Sequence, residues 1–204
     1  MPVRRIEPTP AYAELFAQLK AQLPGDPETR AASFARFQEL GFPNQRAEAW
    51  KYTSLKPLAE RAPTAPTPVP VDVADLQPYV LSGNVKRLVF VNGFYAEALS
   101  DSVDLPQGLA VGNLAERVSH EGALLADADA ERSLTALNAA MAHGGAVVEV
   151  ADGAEIEPML QLVFVQTGDA AVVANPRNVV SVGAGAHLKL AETHVALGDG
   201  GFTN

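Results

Sequence analysis

The C-terminal third of the chain contains an imperfect internal repeat. Residues 147–157 align without gaps on residues 179–189 at an offset of 32, and five of the eleven aligned positions are identical. Each copy reads as a short β-branched strand, a turn that ends at Gly153 or Gly185, and a second alternating strand. A fixed period of this length is typical of stacked coils, because each coil buries one face against a near-copy of itself. The repeat therefore predicts that its two copies lie side by side in the fold.

The strand pattern around the repeat predicts a fold class. Runs of apolar and β-branched residues, separated by glycine or proline, predict strands at 146–150, 160–166, 171–173, 178–182 and 187–195. No helical pattern interrupts these strands, which excludes alternating βαβ units. We predict an α+β protein in which a helical N-terminal region is followed by the beginning of a parallel β-helix (β-solenoid). Because no cap follows the strands before Asn204, we expect the β-helix to be truncated.

The N-terminal region is predicted to contain two helices. Apolar residues recur at helical spacing over residues 9–23, and Pro24-Gly25 follows as a stop signal. The second helix is predicted to begin with Asp26 as its N-cap and Pro27 at its first position. Gly41 is expected to end it, so that the two helices form a hairpin.

Composition and pattern divide the rest of the chain. The segment 61–70 contains four prolines and no periodicity, which predicts an extended, solvated linker. A buried strand at 87–91 ends at an Asn92-Gly93 turn, and helices are predicted at 113–125 and 129–142. The predicted organisation is a helical N-terminal region (1–60), a Pro-rich linker (61–84), a mixed α/β segment (85–145) and a truncated β-helix core (146–204).

Composition excludes several classes of function. The 204 residues include 15 basic and 24 acidic side chains, a net charge of −9 that argues against nucleic acid as a partner. The chain has no cysteine, so it cannot supply a thiolate nucleophile or a thiolate ligand to zinc or an iron–sulfur cluster. Neither a secretory signal nor an apolar run of about 18–20 residues is present, which predicts a cytoplasmic protein without a membrane partner.

Few side chains are spaced for catalysis or metal binding. His120 and His143 fall on helix positions that are predicted to be exposed, whereas Glu192 and His194 would share one face of a strand, as two metal ligands could. A lone Glu-x-His pair is more often a surface hydrogen bond, so we assign it no ligand role. The sequence therefore predicts no catalytic, cofactor-binding or metal-ligating residue, and a protein that is not an enzyme.

Two further patterns resemble functional sites, an acid pair and a dinucleotide-binding loop, but each has a simpler structural explanation. Glu155 and Glu157 share a strand face and could form an acid pair, but they align with His187 and Lys189, as a solvated outer face would. The Gly183-Ala-Gly-Ala-His187 run lacks the third glycine and the following helix of a dinucleotide-binding loop. Its glycines are expected to form the turn of the repeat.

The segment 43–53 concentrates polar and aromatic residues around the only tryptophan. In one interpretation, Trp50 and Tyr52 dock the helical hairpin onto the rest of the protein, with Arg46 and Glu48 paired locally. In the other, the segment is a contact for another subunit. The structural interpretation is favoured because large aromatic side chains are usually buried.

Several segments, in order along the chain, resemble the SufB/SufD family of iron–sulfur cluster assembly proteins, on the SufD side. They are Pro43-x-x-Arg46-x-Glu48-x-Trp50-Lys51-Tyr52-Thr53, Leu88-Val-Phe-Val-Asn-Gly93-Phe, Leu137-Asn138-x-Ala140, Gly153-Ala-Glu-Ile-Glu-Pro158, Pro176-Arg177, and Val182-Gly-x-Gly185-Ala186 with Glu192 beyond. The resemblance implies a SufB-like subunit and a SufC-like ATPase as partners of the full-length protein, in a complex that builds iron–sulfur clusters and could use a reduced flavin. No cofactor is expected in this chain itself.

The main functional hypothesis is thus a non-catalytic scaffold subunit of a SufBCD-type complex, represented by an N-terminal fragment. One alternative is a carbohydrate-acting β-solenoid enzyme, which would need acidic side chains converging from successive coils. Another is a structural β-solenoid that self-associates. The exposed strand edge of a truncated β-helix also predicts a possible homodimer.

Overall fold

The computed structural model describes residues 5–118, 132–168 and 172–198, together with the backbone of residues 202–203. Within these ranges the helices are α1 (Ala11–Leu19), α2 (Pro27–Leu40), α3 (Lys56–Glu60), α4 (Val73–Leu76), α5 (Leu114–Val118) and α6 (Ser133–Met141). The strands are β1 (Val85–Val91), β2 (Phe94–Tyr95), β3 (Leu109–Asn113), β4 (Ala146–Val150), β5 (Met159–Gln166), β6 (Val173–Ala174), β7 (Val179–Val182), β8 (Leu190–Ala196) and β9 (Phe202–Thr203). None of the helices in these ranges is long and apolar enough to cross a bilayer.

The N-terminal hairpin forms as its capping residues predict. Asp26 caps α2, accepting hydrogen bonds from the backbone N–H groups of Thr29 at 2.8 Å and Glu28 at 3.3 Å. The Thr29 hydroxyl and these two amides lower the pKa of Asp26, because they bond to its charged form. Gly41 ends α2 with a φ of +62°, a conformation in which glycine is favoured. The first helix is shorter than predicted, because α1 spans only Ala11–Leu19.

A helical core joins the hairpin to a helix from much later in the chain. α6 lies within the predicted helix 129–142 and packs against α2. The core that they share with α1 is formed by Tyr12, Leu15, Phe16, Phe34, Phe37, Phe42, Leu55, Ala59, Ala136, Leu137, Ala140 and Met141. The predicted helix 113–125 is observed as α5, and its remainder lies outside the described residues.

The larger sheet has the strand order β2-β1-β5-β8. β1 and β5 run parallel, as do β5 and β8, whereas β1 and β2 form an antiparallel hairpin. The hairpin turns at Asn92 and Gly93, whose φ angles of 50° and 85° match the right-handed twist of the flanking strands. The predicted Asn92-Gly93 turn is therefore confirmed.

The repeat places its two copies in adjacent, parallel strands. In the sheet of order β3-β4-β7, Val147 lies opposite Val179 and Val150 opposite Val182, which is the 32-residue offset of the alignment. An isolated parallel bridge between Glu155 and His187 continues this offset. The alignment of the repeat is thus confirmed by the strand register.

The predicted parallel β-helix is wrong as a fold class, although α+β is correct. The described strands form three separate sheets. The two larger sheets mix parallel with antiparallel pairing, since β2 and β3 run antiparallel to their neighbours. The repeat specifies only how its own two copies pair. Strands that precede it join both larger sheets, and no pattern inside the repeat could indicate their direction.

The proline-rich segment 61–70 is extended, as expected, but part of it is buried. Pro63 and Pro66 are buried, and the Thr64 carbonyl accepts a hydrogen bond from the backbone N–H of Val173 at 3.2 Å. The amide of Asn92 donates to the Thr67 carbonyl at 3.3 Å. These bonds fix the course of the segment across the β-sheet region.

Candidate functional site

The segment 43–53 forms one wall of an open groove with a volume of about 720 Å³. Pro43 and Trp50 line this wall, and the first turn of α6, including Ser133 and Leu134, lines the other. We call this cavity the Trp50 groove. It lies between the loop that follows α2 and the N-terminus of α6, so it depends on the packing of these two helices.

Backbone contacts hold the groove in shape. Ile6 and Phe42 form an antiparallel bridge, with hydrogen bonds of 2.9 and 2.8 Å, which brings Arg5 to the rim. The Ser133 hydroxyl donates to the carbonyl of Gly41 and ties α6 to the same turn. A Cβ atom at Gly41 would lie 2.8 Å from the Ile6 carbonyl oxygen, so the close approach requires glycine. The groove is therefore built on paired backbone rather than on a free loop.

The structure agrees with the docking interpretation of the aromatic segment for Trp50 but not for Tyr52. Trp50 is partly buried and packs against the helical core, which is the predicted structural role, while it also lines the groove. Tyr52 is 89% exposed, so the prediction that it docks the hairpin is wrong. The predicted pairing of Glu48 with Arg46 is also not observed. Glu48 Oε1 instead lies 3.9 Å from Lys51 Nζ, and the backbone N–H of Arg46 donates to the Asn44 side chain.

The acidic pair of the repeat lies on the solvated surface. Glu155, Glu157, His187 and Lys189 border a shallow depression of about 200 Å³. His187 Nε2 lies 3.7 Å from Glu155 Oε1, and both side chains are more than 70% exposed. On an exposed face, water and salt screen the charges of these side chains, so they form no desolvated acid pair. The geometry agrees with the solvated face that the alignment predicted.

Glu192 and His194 share one face of β8, as predicted. His194 Nε2 lies 3.7 Å from Glu192 Oε2, and the Asn178 amide donates to Glu192 Oε1 at 2.8 Å. The His194 ring stacks on Phe164, with ring centroids 5.1 Å apart. Over the described ranges, no group of three or more His, Asp or Glu side chains is arranged to hold a metal ion.

His143 has a structural position that the sequence did not indicate. It was predicted to be exposed, but its Nε2 lies 2.9 Å from the carbonyl oxygen of Asn92. Its ring also packs against Phe94, with the two ring centroids 4.8 Å apart. Burial lowers the pKa of His143, which favours the neutral ring. His143 thus joins the end of α6 to the β1–β2 turn. His120 lies outside the described residues.

Fold and site together define an α+β protein with an open, partly apolar groove. Among the described histidines, His143 is explained by packing, and His187 and His194 by exposed pairing with Glu155 and Glu192. Residues 9–162 match the family model described as the SufBD protein N-terminal region, and the chain belongs to the SufBD family. The match includes the segment 43–53, all of α6 and the first copy of the repeat.

A curated relative agrees with this assignment. The chain is 29% identical over 165 residues to an iron–sulfur cluster assembly SufBD family protein of Synechocystis sp.. The aligned region covers 78% of this chain and 36% of the relative, so the chain spans about a third of that protein's length. The chain is therefore a homologue of an iron–sulfur cluster assembly protein over its N-terminal region.

Proposed function

We propose that the chain is the N-terminal part of a non-catalytic scaffold subunit in a SufBCD-type iron–sulfur cluster assembly complex. The full-length protein would act in the cytoplasm with a SufB-like subunit and a SufC-like ATPase. The cluster, and any reduced flavin, would be handled by the assembled complex. The observation that carries this proposal is the family match over residues 9–162.

The chemistry of this chain supports a scaffold rather than a cluster-binding role. It contains no cysteine, and thiolates are the usual ligands of iron–sulfur clusters. The carbohydrate-acting alternative is not favoured, because the residue opposite Glu155 in the second copy of the repeat is His187 rather than a second carboxylate.

Co-purification of the full-length protein tests the proposal. We expect it to elute with a SufB-like subunit and a SufC-like ATPase as one complex in size-exclusion chromatography. Pairwise mixtures serve as controls and show which partner makes direct contact. Separate elution of all three proteins under every mixing condition would contradict a scaffold role in such a complex.

Self-association through a strand edge is a second part of the proposal. In the described part of the chain, β7 and β8 end their sheets, and Val180, Val182 and Leu190 are exposed. Antiparallel pairing of β8 with a second copy about Thr193 would set Glu192 opposite His194, where the imidazole could donate a hydrogen bond to the carboxylate.

Light scattering of the 204-residue chain checks this pairing. We expect a dimer that dissociates when Leu190→Lys places a charge at the edge. Val103→Lys is the matched control, since Val103 is 71% exposed and belongs to neither β7 nor β8. A mass that stays monomeric across a wide concentration range would exclude the dimer.

A further inference from the structure

Asn92-Gly93 is the only Asn-Gly pair in the chain, and it carries chemistry that a scaffold role does not use. An asparagine side chain loses ammonia when the backbone nitrogen of the next residue attacks the carbon of its amide. Glycine in the next position permits this attack most readily, because no Cβ atom hinders the approach. The β1–β2 turn is therefore built on the residue pair that is most prone to spontaneous deamidation.

Four polar contacts hold Asn92 in the turn. Its backbone N–H donates to the Val165 carbonyl at 2.8 Å, and its Nδ2 donates to the Thr67 carbonyl at 3.3 Å. Its Oδ1 accepts a hydrogen bond from the backbone N–H of Thr167 at 2.9 Å. Its own carbonyl oxygen lies 2.9 Å from His143 Nε2. Both polar atoms of the side-chain amide are thus bonded to segments outside the turn.

The same contacts oppose deamidation in the folded state. Ring closure moves the side-chain carbon of Asn92 onto the Gly93 nitrogen and expels Nδ2, so it disrupts the bonds that fix the amide. The other side of the turn is closed as well, because a Cβ atom at Gly93 would overlap the ring of His143. Asn92 is only 1% exposed, which limits the access of water. Reaction therefore requires the turn to open, and local opening needs less free energy than global unfolding.

We propose that Asn92 is a site of spontaneous deamidation controlled by the contact between His143 and the β1–β2 turn. When this contact opens, the Gly93 nitrogen loses its proton and bonds to the side-chain carbon of Asn92. The bond from that carbon to Nδ2 breaks, and Nδ2 leaves with the proton as ammonia. Water then opens the cyclic imide to an aspartyl or isoaspartyl residue, so the reaction consumes water and needs no oxidant or cofactor.

The product cannot form the original turn again. Aspartate at position 92 replaces the Nδ2 donor by a carboxylate oxygen, which the facing carbonyl of Thr67 repels. An isoaspartyl linkage adds a methylene group to the main chain ahead of Gly93 and disturbs the register of β1 against β2. Deamidation therefore converts a transient opening into a lasting loss of the contact between the end of α6 and the sheet.

Mass spectrometry of the 204-residue protein tests the proposal. Folded and urea-unfolded samples are incubated at mildly alkaline pH and digested with trypsin, and fragmentation locates the modified residue. Residues 88–117 form one tryptic peptide that contains both Asn92 and Asn113. Asn113 is the internal control, because the side chain of Leu114 hinders the attack. We expect Asn92 to react at least about tenfold faster in the unfolded sample, with little reaction at Asn113 in either sample.

Variants distinguish local opening from global unfolding. His143→Ala removes the ring that contacts the turn and should speed deamidation of Asn92 in the folded protein about tenfold. His143→Gln retains a donor for the Asn92 carbonyl and should give a smaller increase. His187→Ala, at an exposed histidine, is the matched control and should leave the rate unchanged. Leu15→Ala weakens the helical core rather than the turn, and it should also leave the rate unchanged.

Three results would overturn the proposal. Equal rates for Asn92 in the folded and unfolded samples would show that the fold does not protect it. Equal acceleration by Leu15→Ala and His143→Ala would assign the reaction to global unfolding. An unchanged rate in a folded His143 variant would remove the control by His143, and His143→Gln decides this if circular dichroism shows that His143→Ala is unfolded.

Discussion

Replacing Arg30 by alanine is expected to lower the free energy of unfolding by about 3 kcal/mol. The Arg30 side chain is 1% exposed, and its Nη1 donates to the carbonyls of Ala140 at 3.1 Å and Ala139 at 3.4 Å. Its Nε donates to the Pro24 carbonyl at 2.7 Å. The substitution would leave these carbonyls without their donor and open a cavity between α2 and α6.

The charge of Arg30 is retained despite its burial. Burial lowers the pKa of Arg30 to about 10, so the guanidinium remains protonated at neutral pH. Its Nη2 is buried without a hydrogen-bond acceptor, which reduces the net gain from the three bonds that are made. Arg30→Met should therefore be less damaging than Arg30→Ala, because methionine restores packing although not the hydrogen bonds.

Urea unfolding followed by circular dichroism measures the effect of these substitutions. Arg36→Ala is the matched control on the same helix, since the ion pair between Arg36 Nη1 and Glu39 Oε2, at 3.0 Å, is exposed to solvent. Its cost should stay within about 0.5 kcal/mol. If the Arg30 and Arg36 alanine variants unfold at the same urea concentration, Arg30 does not hold α6 to the hairpin.

Gly144→Ala is expected to cost about 3 kcal/mol or more. A Cβ atom at Gly144 would overlap the backbone carbonyl of Gly93, and no side-chain rotation can relieve an overlap with backbone. The Gly144 carbonyl also accepts a hydrogen bond from the Arg177 N–H at 2.9 Å, and Leu114 N–H bonds to the Gly145 carbonyl at 2.9 Å. The chain is thus held at the carbonyls of Gly144 and Gly145, which leaves it little freedom to make room.

Gly112→Ala is a suitable control for Gly144→Ala. A Cβ atom at Gly112 would meet only Arg117 Cγ, at an ordinary contact distance of 3.8 Å. The Gly112 change should therefore be close to neutral, and thermal melts of both variants give the comparison. Similar melting temperatures for the two variants would show that the β1–β2 turn and the 143–145 segment are not tightly packed.

These two predictions depend on contacts that sequence patterns do not display. Arg30 was not singled out by any motif, because a helical arginine normally lies at the surface. Two of its partners, the carbonyls of Ala139 and Ala140, are more than 100 positions away, at the end of α6. His143 was placed on an exposed face for the same reason, since the turn that covers it comes from the Asn92 region.

Local signals identified the elements that depend on neighbouring residues. The Asp26 cap followed by Pro27 located the start of α2, and the Asn92-Gly93 pair located the β1–β2 turn. The groove was only partly foreseen. The segment around Trp50 was recognised from its aromatic and polar residues. Arg5, however, reaches the groove through the Ile6–Phe42 bridge, and Arg132 and the N-terminus of α6 reach it through the packing of α2 on α6.

The amino-acid order alone determined the ends of α2, the Asn92-Gly93 turn, the pairing of residues 147–157 with 179–189 and the membership of the SufBD family. Each of these depends on nearest neighbours or on a near-identical copy, whose register is set by matching side chains. Tertiary structure decided the direction of β2 and β3, the division into three sheets, the burial of Arg30 and the formation of the Trp50 groove. These features join distant segments through non-directional apolar burial, and such burial leaves no spacing in the chain from which the partner could be identified.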